Sequence, residues 1–182
     1  MIFTPLPLKG AFLIQLDKKE DNRGFFARFY CKEEFEKQGL DTNLVQMNTS
    51  FTKRKGTIRG FHFQSSPKTE TKVVRCIHGA IWDVIVDIRA GSTTYGKWYG
   101  AELNWINRTM MYIPKGFAHG FQTLTDDVDQ LYLHSEFYSP EHEGGLIYND
   151  PVMSIRWPLP VTEISPTDQS HPLLEEITPI IL

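Results

Sequence analysis

Two histidines in this chain stand where proton chemistry is possible. The first lies in Arg59-Gly60-Phe61-His62-Phe63-Gln64, with Lys72 shortly after it. The second lies in Pro114-Lys115-Gly116-Phe117-Ala118-His119-Gly120-Phe121. Imidazole titrates near neutral pH, so it can both take and return a proton there. Two imidazoles beside a guanidinium and an ammonium suit a site that grips an anion and moves protons. On a strand, Phe61 and Phe63 point away from His62. If those rings fill the space between sheets, His62 faces a cavity or solvent. The plainer alternative is a satisfied strand histidine, and Arg59, Gln64 and Lys72 weigh against it. His119 lies between Gly116 and Gly120, which let the backbone approach a ligand closely. Arg23 and Arg59 each precede a glycine, a placement that suits phosphate; surface charge is the alternative. Lys72 opens a Val-rich strand and points either to solvent or into a cavity.

A metal centre is the competing chemistry. Small β-barrels often hold a metal through His-x-His, but His62 is followed by Phe63-Gln64. Glu70 and His119 would still make two histidines and one carboxylate with His62. Without tight spacing that set is weak evidence, and the expectation is no metal and no cofactor.

The elements that must position these groups are mostly strands. Val74, Cys76, Ala80, Trp82, Val84, Val86 and Ile88 recur at mostly period-two spacing around a His78-Gly79 turn, with Asp83, Asp87 and Arg89 on the opposite parity. Trp98 to Leu103, Met110 to Ile113 and Phe121 to Leu124 read as further strands. In Val128 to His134, Leu131 and Leu133 face one way, and Gln130, Tyr132 and His134 the other. Asp21-Asn22-Arg23-Gly24 is a turn between hydrophobic runs. Lys32 to Gln38 is the one convincing helix, closed by Gly39. From Tyr138 onward Pro and Gly punctuate an extended tail, with Ser165 as a helix N-cap and Pro166 as the first helical residue. The pattern predicts an all-β sandwich or barrel; in a jelly roll, polar strand faces of this kind can line a central cavity.

The 182 residues are enough for one well-buried core and few for two, so 1–182 reads as one domain. With 13% aromatic and 23% charged residues the composition is globular rather than disordered. A net charge of −3 with no basic tract argues against nucleic acid, which leaves the local positive groups to serve a small anion. Cys31 and Cys76 form neither a disulfide framework nor a metal-site spacing, and read as reduced thiols. The stretch Met1 to Gln15 lacks the basic start of a signal peptide, and no apolar run is of membrane-spanning length. A soluble cytoplasmic protein is expected.

Taken in order, the segments resemble the dTDP-4-dehydrorhamnose 3,5-epimerases, the RmlC-type sugar-nucleotide epimerases. The resemblance runs from Arg23-Gly24-Phe25-Phe26 through Gln46-Met47-Asn48-Thr49-Ser50, Arg59 to Gln64, Lys72, Asp83 to Arg89 and Ile113 to Phe121. It continues through Tyr132, Tyr138 and Asn149-Asp150-Pro151 to Ser165-Pro166-Thr167-Asp168. It implies a metal-free, cupin-like jelly roll, usually a homodimer, acting on a nucleotide sugar linked to dTDP. By resemblance His62 matches the catalytic base, Asp168 its carboxylate partner, Tyr132 the acid on the opposite face and Lys72 the residue beside the sugar carbonyl. Arg23, Gln46, Asn48, Arg59, His119 and Tyr138 match positions lining the nucleotide and sugar site. The chain departs from the family's usual residues at Met47, Phe61, Glu70, Leu133 and Tyr148. A relative inverting one carbon only, and a non-catalytic sugar-binding module, are the other readings.

Overall fold

The apolar–polar alternation becomes thirteen strands, with two short α-helices. The computed structural model describes residues 1–182. The strands are β1 (Ile2–Pro5), β2 (Phe12–Gln15), β3 (Lys19–Asp21), β4 (Gly24–Phe26), β5 (Gln46–Thr52), β6 (Ile58–Gln64) and β7 (Lys72–His78). They continue with β8 (Ala80–Asp87), β9 (Trp98–Asn104), β10 (Met110–Ile113), β11 (Phe117–Thr123), β12 (Val128–His134) and β13 (Glu143–Gly145). The helices are α1 (Lys32–Lys37) and α2 (Pro166–Gln169). One sheet runs β1-β2-β10-β7-β12-β5 and the facing sheet β13-β6-β11-β8-β9, while β3 and β4 form a separate hairpin. All strand pairs within them are antiparallel. The two sheets are not joined into a closed barrel, so the architecture is an open jelly-roll sandwich.

Period-two alternation on the central strands feeds three apolar layers. Between the sheets, Val74, Cys76, Met111 and Ile113 from one side meet Ile81, Ile85, Leu103, Phe117 and Phe121 from the other. Outside the six-stranded sheet, Phe35 of α1 and Leu40 pack on Val73, Met110, Tyr112 and Leu133. Outside the five-stranded sheet, Phe61, Phe63, Val84, Val86 and Ala118 are covered by Leu146, Met153, Leu174 and Ile180 of the tail. Fully burying such a side chain is worth roughly 1.5–3 kcal/mol, so each outer layer holds its cover firmly.

This layering corrects one expectation. Phe61 and Phe63 do not lie between the sheets; they lie under the tail, and His62 therefore points inward, toward the inter-sheet space. A second correction concerns His119. The Gly116–Gly120 segment is a turn only at Gly116 (φ +79°); His119 is mid-strand in β11, buried, and paired in register with His62. The bare Cα of Gly120 makes room for the Phe61 ring and the Arg59 carbonyl rather than for a ligand.

Of the other elements, β11 starts at Phe117 rather than Phe121 and β5 was not anticipated, while the rest of the expected set appears. β7 and β8 turn at His78-Gly79, and β10 and β12 span the anticipated residues. Gly39 closes α1 with φ +70°. Ser165 caps α2, its hydroxyl accepting the Asp168 N–H at 3.0 Å, with Pro166 as first helical residue. No helix is long and apolar enough to cross a membrane.

Candidate active site

His62 is fixed by a carboxylate that arrives from the far end of the chain. Its Nε2 lies 2.8 Å from Oδ1 of Asp168, while Oδ2 accepts the Gly60 N–H at 3.0 Å. Gly60 has φ +105°, and a Cβ there would stand 2.6 Å from the His119 carbonyl oxygen, so only glycine lets β6 approach β11 this closely. Burial works to raise the Asp168 carboxyl, but hydrogen bonds from His62 and Gly60 outweigh it and hold it below its ordinary value. An ionised carboxylate only accepts, so Nε2 of His62 carries the ring proton. Nδ1 then bears the lone pair and makes no hydrogen bond to the protein.

A second imidazole–carboxylate pair lies one strand over. His119 Nε2 is 2.7 Å from Oδ1 of Asp83, and both side chains are almost fully buried. Asp83 is a fully buried acid on a mostly apolar strand, and this bond answers part of the cost of burying it.

The opposite wall comes from the other sheet. Tyr132, on β12, places its hydroxyl 3.2 Å from Ser50 Oγ on β5. Burial pushes its phenol well above the ordinary range. Lys72 Nζ pairs with Glu70 Oε1 at 3.0 Å, and Glu70 Oε2 meets His134 Nδ1 at 2.7 Å. Burial acts to raise Glu70, and the His134 hydrogen bond and Lys72 charge more than offset it, lowering its pKa. Asn48 Nδ2 reaches His134 Nε2 at 3.4 Å, and Gln46 Oε1 accepts the Tyr138 N–H at 3.2 Å. Arg59 is braced at the rim, with Nε donating to Thr52 Oγ1 at 3.0 Å and a terminal nitrogen to the Phe51 carbonyl at 3.2 Å.

These groups enclose a cavity of about 300 Å³. His62, Lys72, Tyr132, Gln46, Asn48, Arg59, His119 and Tyr138 all line it. Asp168 stands behind His62. Arg23 does not join them: it sits on the exposed β3–β4 hairpin, bonded to Asp21 at 2.6 Å, outside the chain's own cavity. The alternative metal set is not gathered either, because Glu70 is taken by Lys72 and His134 and His119 by Asp83.

Sequence reasoning missed Asp83, Ser50, His134 and His171 as neighbours of the chemistry. Asp83 carried a signal, its parity on a Val-rich strand. His171 carried none. Its Nε2 lies 3.6 Å from Asp168 Oδ1 and its ring centroid 5.7 Å from that of His62. Burial, then the His62 charge, depress its pKa.

A cupin-like jelly roll that sets an imidazole–carboxylate pair against a phenol across one cavity is a protein built to move protons on a bound small molecule. The particular family follows from comparison: residues 5–176 match the family model described as dTDP-4-dehydrorhamnose 3,5-epimerase, and the chain belongs to that family. A dTDP-4-dehydrorhamnose 3,5-epimerase of Sinorhizobium fredii is 43% identical over 97% of this chain and 91% of its own length. A dTDP-4-dehydrorhamnose 3-epimerase of Streptomyces niveus is 38% identical over 97% of this chain and 85% of its own. The crystal structure of the Legionella pneumophila dTDP-6-deoxy-D-glucose-3,5-epimerase in complex with dTDP-4-keto-L-rhamnose superposes with a TM-score of 0.91 at 37% identity, covering 97% of this chain and 94% of that one.

Proposed function

We propose that this protein inverts C3 and C5 of dTDP-4-dehydro-6-deoxy-D-glucose to give dTDP-4-dehydro-L-rhamnose, and that His62 is the base and Tyr132 the acid. The observation that carries the reading is that the two groups hang from opposing sheets into one cavity. Inversion needs a proton removed from one face of the ring and another delivered to the opposite face.

The C3 and C5 protons are each α to the C4 carbonyl. His62 Nδ1 takes one of them, the C–H electron pair moves into the ring, and the C4 oxygen becomes an enolate oxyanion. Asp168 holds the tautomer and stabilises the imidazolium that results, the arrangement that hydrolase triads use. Lys72 donates to the oxyanion in a water-poor cavity, where a charge acts more strongly than in bulk. Tyr132 then protonates carbon from the other side; the phenolate regains a proton from solvent and His62 gives up its proton to solvent before the second carbon is inverted. Arg59, with Gln46, Asn48, His119 and Tyr138, holds the nucleotide and sugar, so that binding energy remote from C3 and C5 positions the ring.

The working unit in this reading is a homodimer. Arg23 is far from its own cavity, so its grip on the diphosphate is exerted in the partner's. The exposed Phe26 beside it, and Met47 and Phe51 on edge strand β5, supply apolar surface for such a contact.

The deciding measurement is NMR of a dTDP-4-keto-6-deoxy-glucose in deuterated water. Exchange and inversion at C3 and C5 support the reading. Exchange at C3 alone makes the protein a single-centre epimerase, and exchange at neither makes it a sugar-binding module.

A further inference from the structure

We propose that His62, Asp168 and His171 form a site for a divalent transition metal of the zinc type, and that its occupancy switches the proton chemistry off. One ligand atom from each lies within 4.8 Å of the others, the only such group of histidine, cysteine or carboxylate side chains in the chain. Asp168 Oδ1 is 2.8 Å from His62 Nε2 and 3.6 Å from His171 Nε2. Around a tetrahedral zinc with bonds near ~2.0–2.2 Å, neighbouring ligand atoms stand about 3.3–3.6 Å apart. Small side-chain shifts therefore bring the three atoms onto one ion.

The second observation is the state of His171. Its Nε2 is shut off from solvent and has no hydrogen-bond partner, an arrangement native proteins rarely tolerate without a use. Gly145, the cross-strand neighbour of His62 on β13, leaves room for the ring, and a Cβ there would collide with that same nitrogen. An unpartnered imidazole nitrogen, aimed at a carboxylate that already carries another imidazole, is a ligand set for zinc, cobalt, nickel or copper. Two nitrogens to one oxygen disfavour magnesium and calcium. The His62 side chain is 39% exposed, which gives an ion a path from the cavity.

The consequence follows from the two ring nitrogens. A metal on Nε2 of His62 uses the lone pair there, so the ring proton must sit on Nδ1. Nδ1 is the nitrogen that takes the substrate proton. Metal binding thus converts the base into an N–H group and leaves Arg59, Lys72 and Tyr132 in place. Binding itself does not depend on the epimerase reading; the loss of turnover rests on it.

The test is a titration of the chelator-stripped full chain with Co²⁺, then Zn²⁺. One ion per chain is expected, with the strong visible bands of four- or five-coordinate cobalt, displaced by zinc. His171→Asn should weaken binding about a hundredfold, while His78→Asn, at an exposed turn, should not. In the wild-type chain, nitrogen NMR should show zinc moving the His62 and His171 signals and not those of His119 or His134. That readout stands even if His171→Asn misfolds. No saturable binding at millimolar ion, binding unchanged in His171→Asn, or shifts at other histidines would each overturn the site. Zinc should also suppress epimerisation with the midpoint of its binding. Full turnover on the zinc-saturated chain would overturn the switch, and absence of epimerisation without metal would sink the functional reading while leaving the binding result intact.

Discussion

Asp168→Asn tests the imidazole–carboxylate pair most sharply, because the side chain keeps its shape and loses only charge and one acceptor. Asp168 accepts on both oxygens, from His62 Nε2 at 2.8 Å and from the Gly60 N–H at 3.0 Å. An asparagine has one oxygen. If that oxygen serves Gly60, the amide NH₂ faces Nε2, which must then accept, and the ring proton moves to Nδ1. If the amide flips, NH₂ faces the Gly60 N–H, donor against donor. Forcing the productive arrangement costs about 1–3 kcal/mol, the penalty of a buried donor left unpaired. Replacing a charge-assisted bond to the imidazolium by a neutral one costs about 1–2 kcal/mol more. The sum of about 2–5 kcal/mol corresponds to a loss of roughly 30- to several-thousand-fold in kcat. His62→Ala, in contrast, should abolish exchange at both carbons. The assay is solvent deuterium incorporation at C3 and C5 followed by NMR, with circular dichroism to establish folding. A folded Asp168→Asn protein exchanging within a few fold of wild type would refute the argument.

The remaining predictions concern the other wall, the anchor, metals and pH. Tyr132→Phe should separate exchange from inversion: in deuterated water the sugar exchanges with retained configuration, or inverts at one carbon only. Inversion at both carbons would make Tyr132 a packing residue. Arg59→Ala should weaken dTDP-sugar affinity by about 10- to 100-fold by calorimetry, the worth of a charge-assisted contact, and lower turnover as well. Chelation should leave activity intact or raise it; loss restored by iron, zinc or manganese would remove the mechanism. Glu70 and Asp168 have lowered folded pKa values, so their contribution to stability is full above the ordinary carboxylate range near ~4 and is lost as pH falls through the depressed values. Thermal unfolding followed by circular dichroism should show a steep acid-side fall in Tm, made shallower by Glu70→Gln.

The strands legible in the sequence were those with one apolar face. Val128 to His134 shows why: Leu133 packs outward under α1 and Tyr132 inward, so the alternation is written in the residues. β5 escaped because Gln46-Met47-Asn48-Thr49-Ser50 is polar on its cavity face and exposed on the other, and lacks a hydrophobic period. β11 was begun too late because Gly116 and Gly120 look like turn punctuation, and only the close approach of Phe61 explains the second glycine. At the site, His62, Lys72 and Tyr132 stood out as polar residues on ordered strands. The alliances among them did not, because Asp168 meets His62 across more than half the chain, and Glu70 finds His134 only after two strands pair. Arg23 belonged to the motif pattern but not to the cavity of its own chain, because it sits on the separate β3–β4 hairpin, paired with Asp21.

The tail also sets an order of events. It crosses Phe61 and Phe63, delivers Asp168 through the Ser165 cap, and then threads Ile180 beside Ile88 through backbone hydrogen bonds. During synthesis His62 and Tyr132 emerge well before Asp168, the carboxylate that His62 meets in the fold. A nascent or clipped chain ending before Ser165 would carry every side chain that lines the cavity yet lack the carboxylate that fixes the His62 ring. The orientation of that imidazole is thereby settled only once α2 has docked against β6.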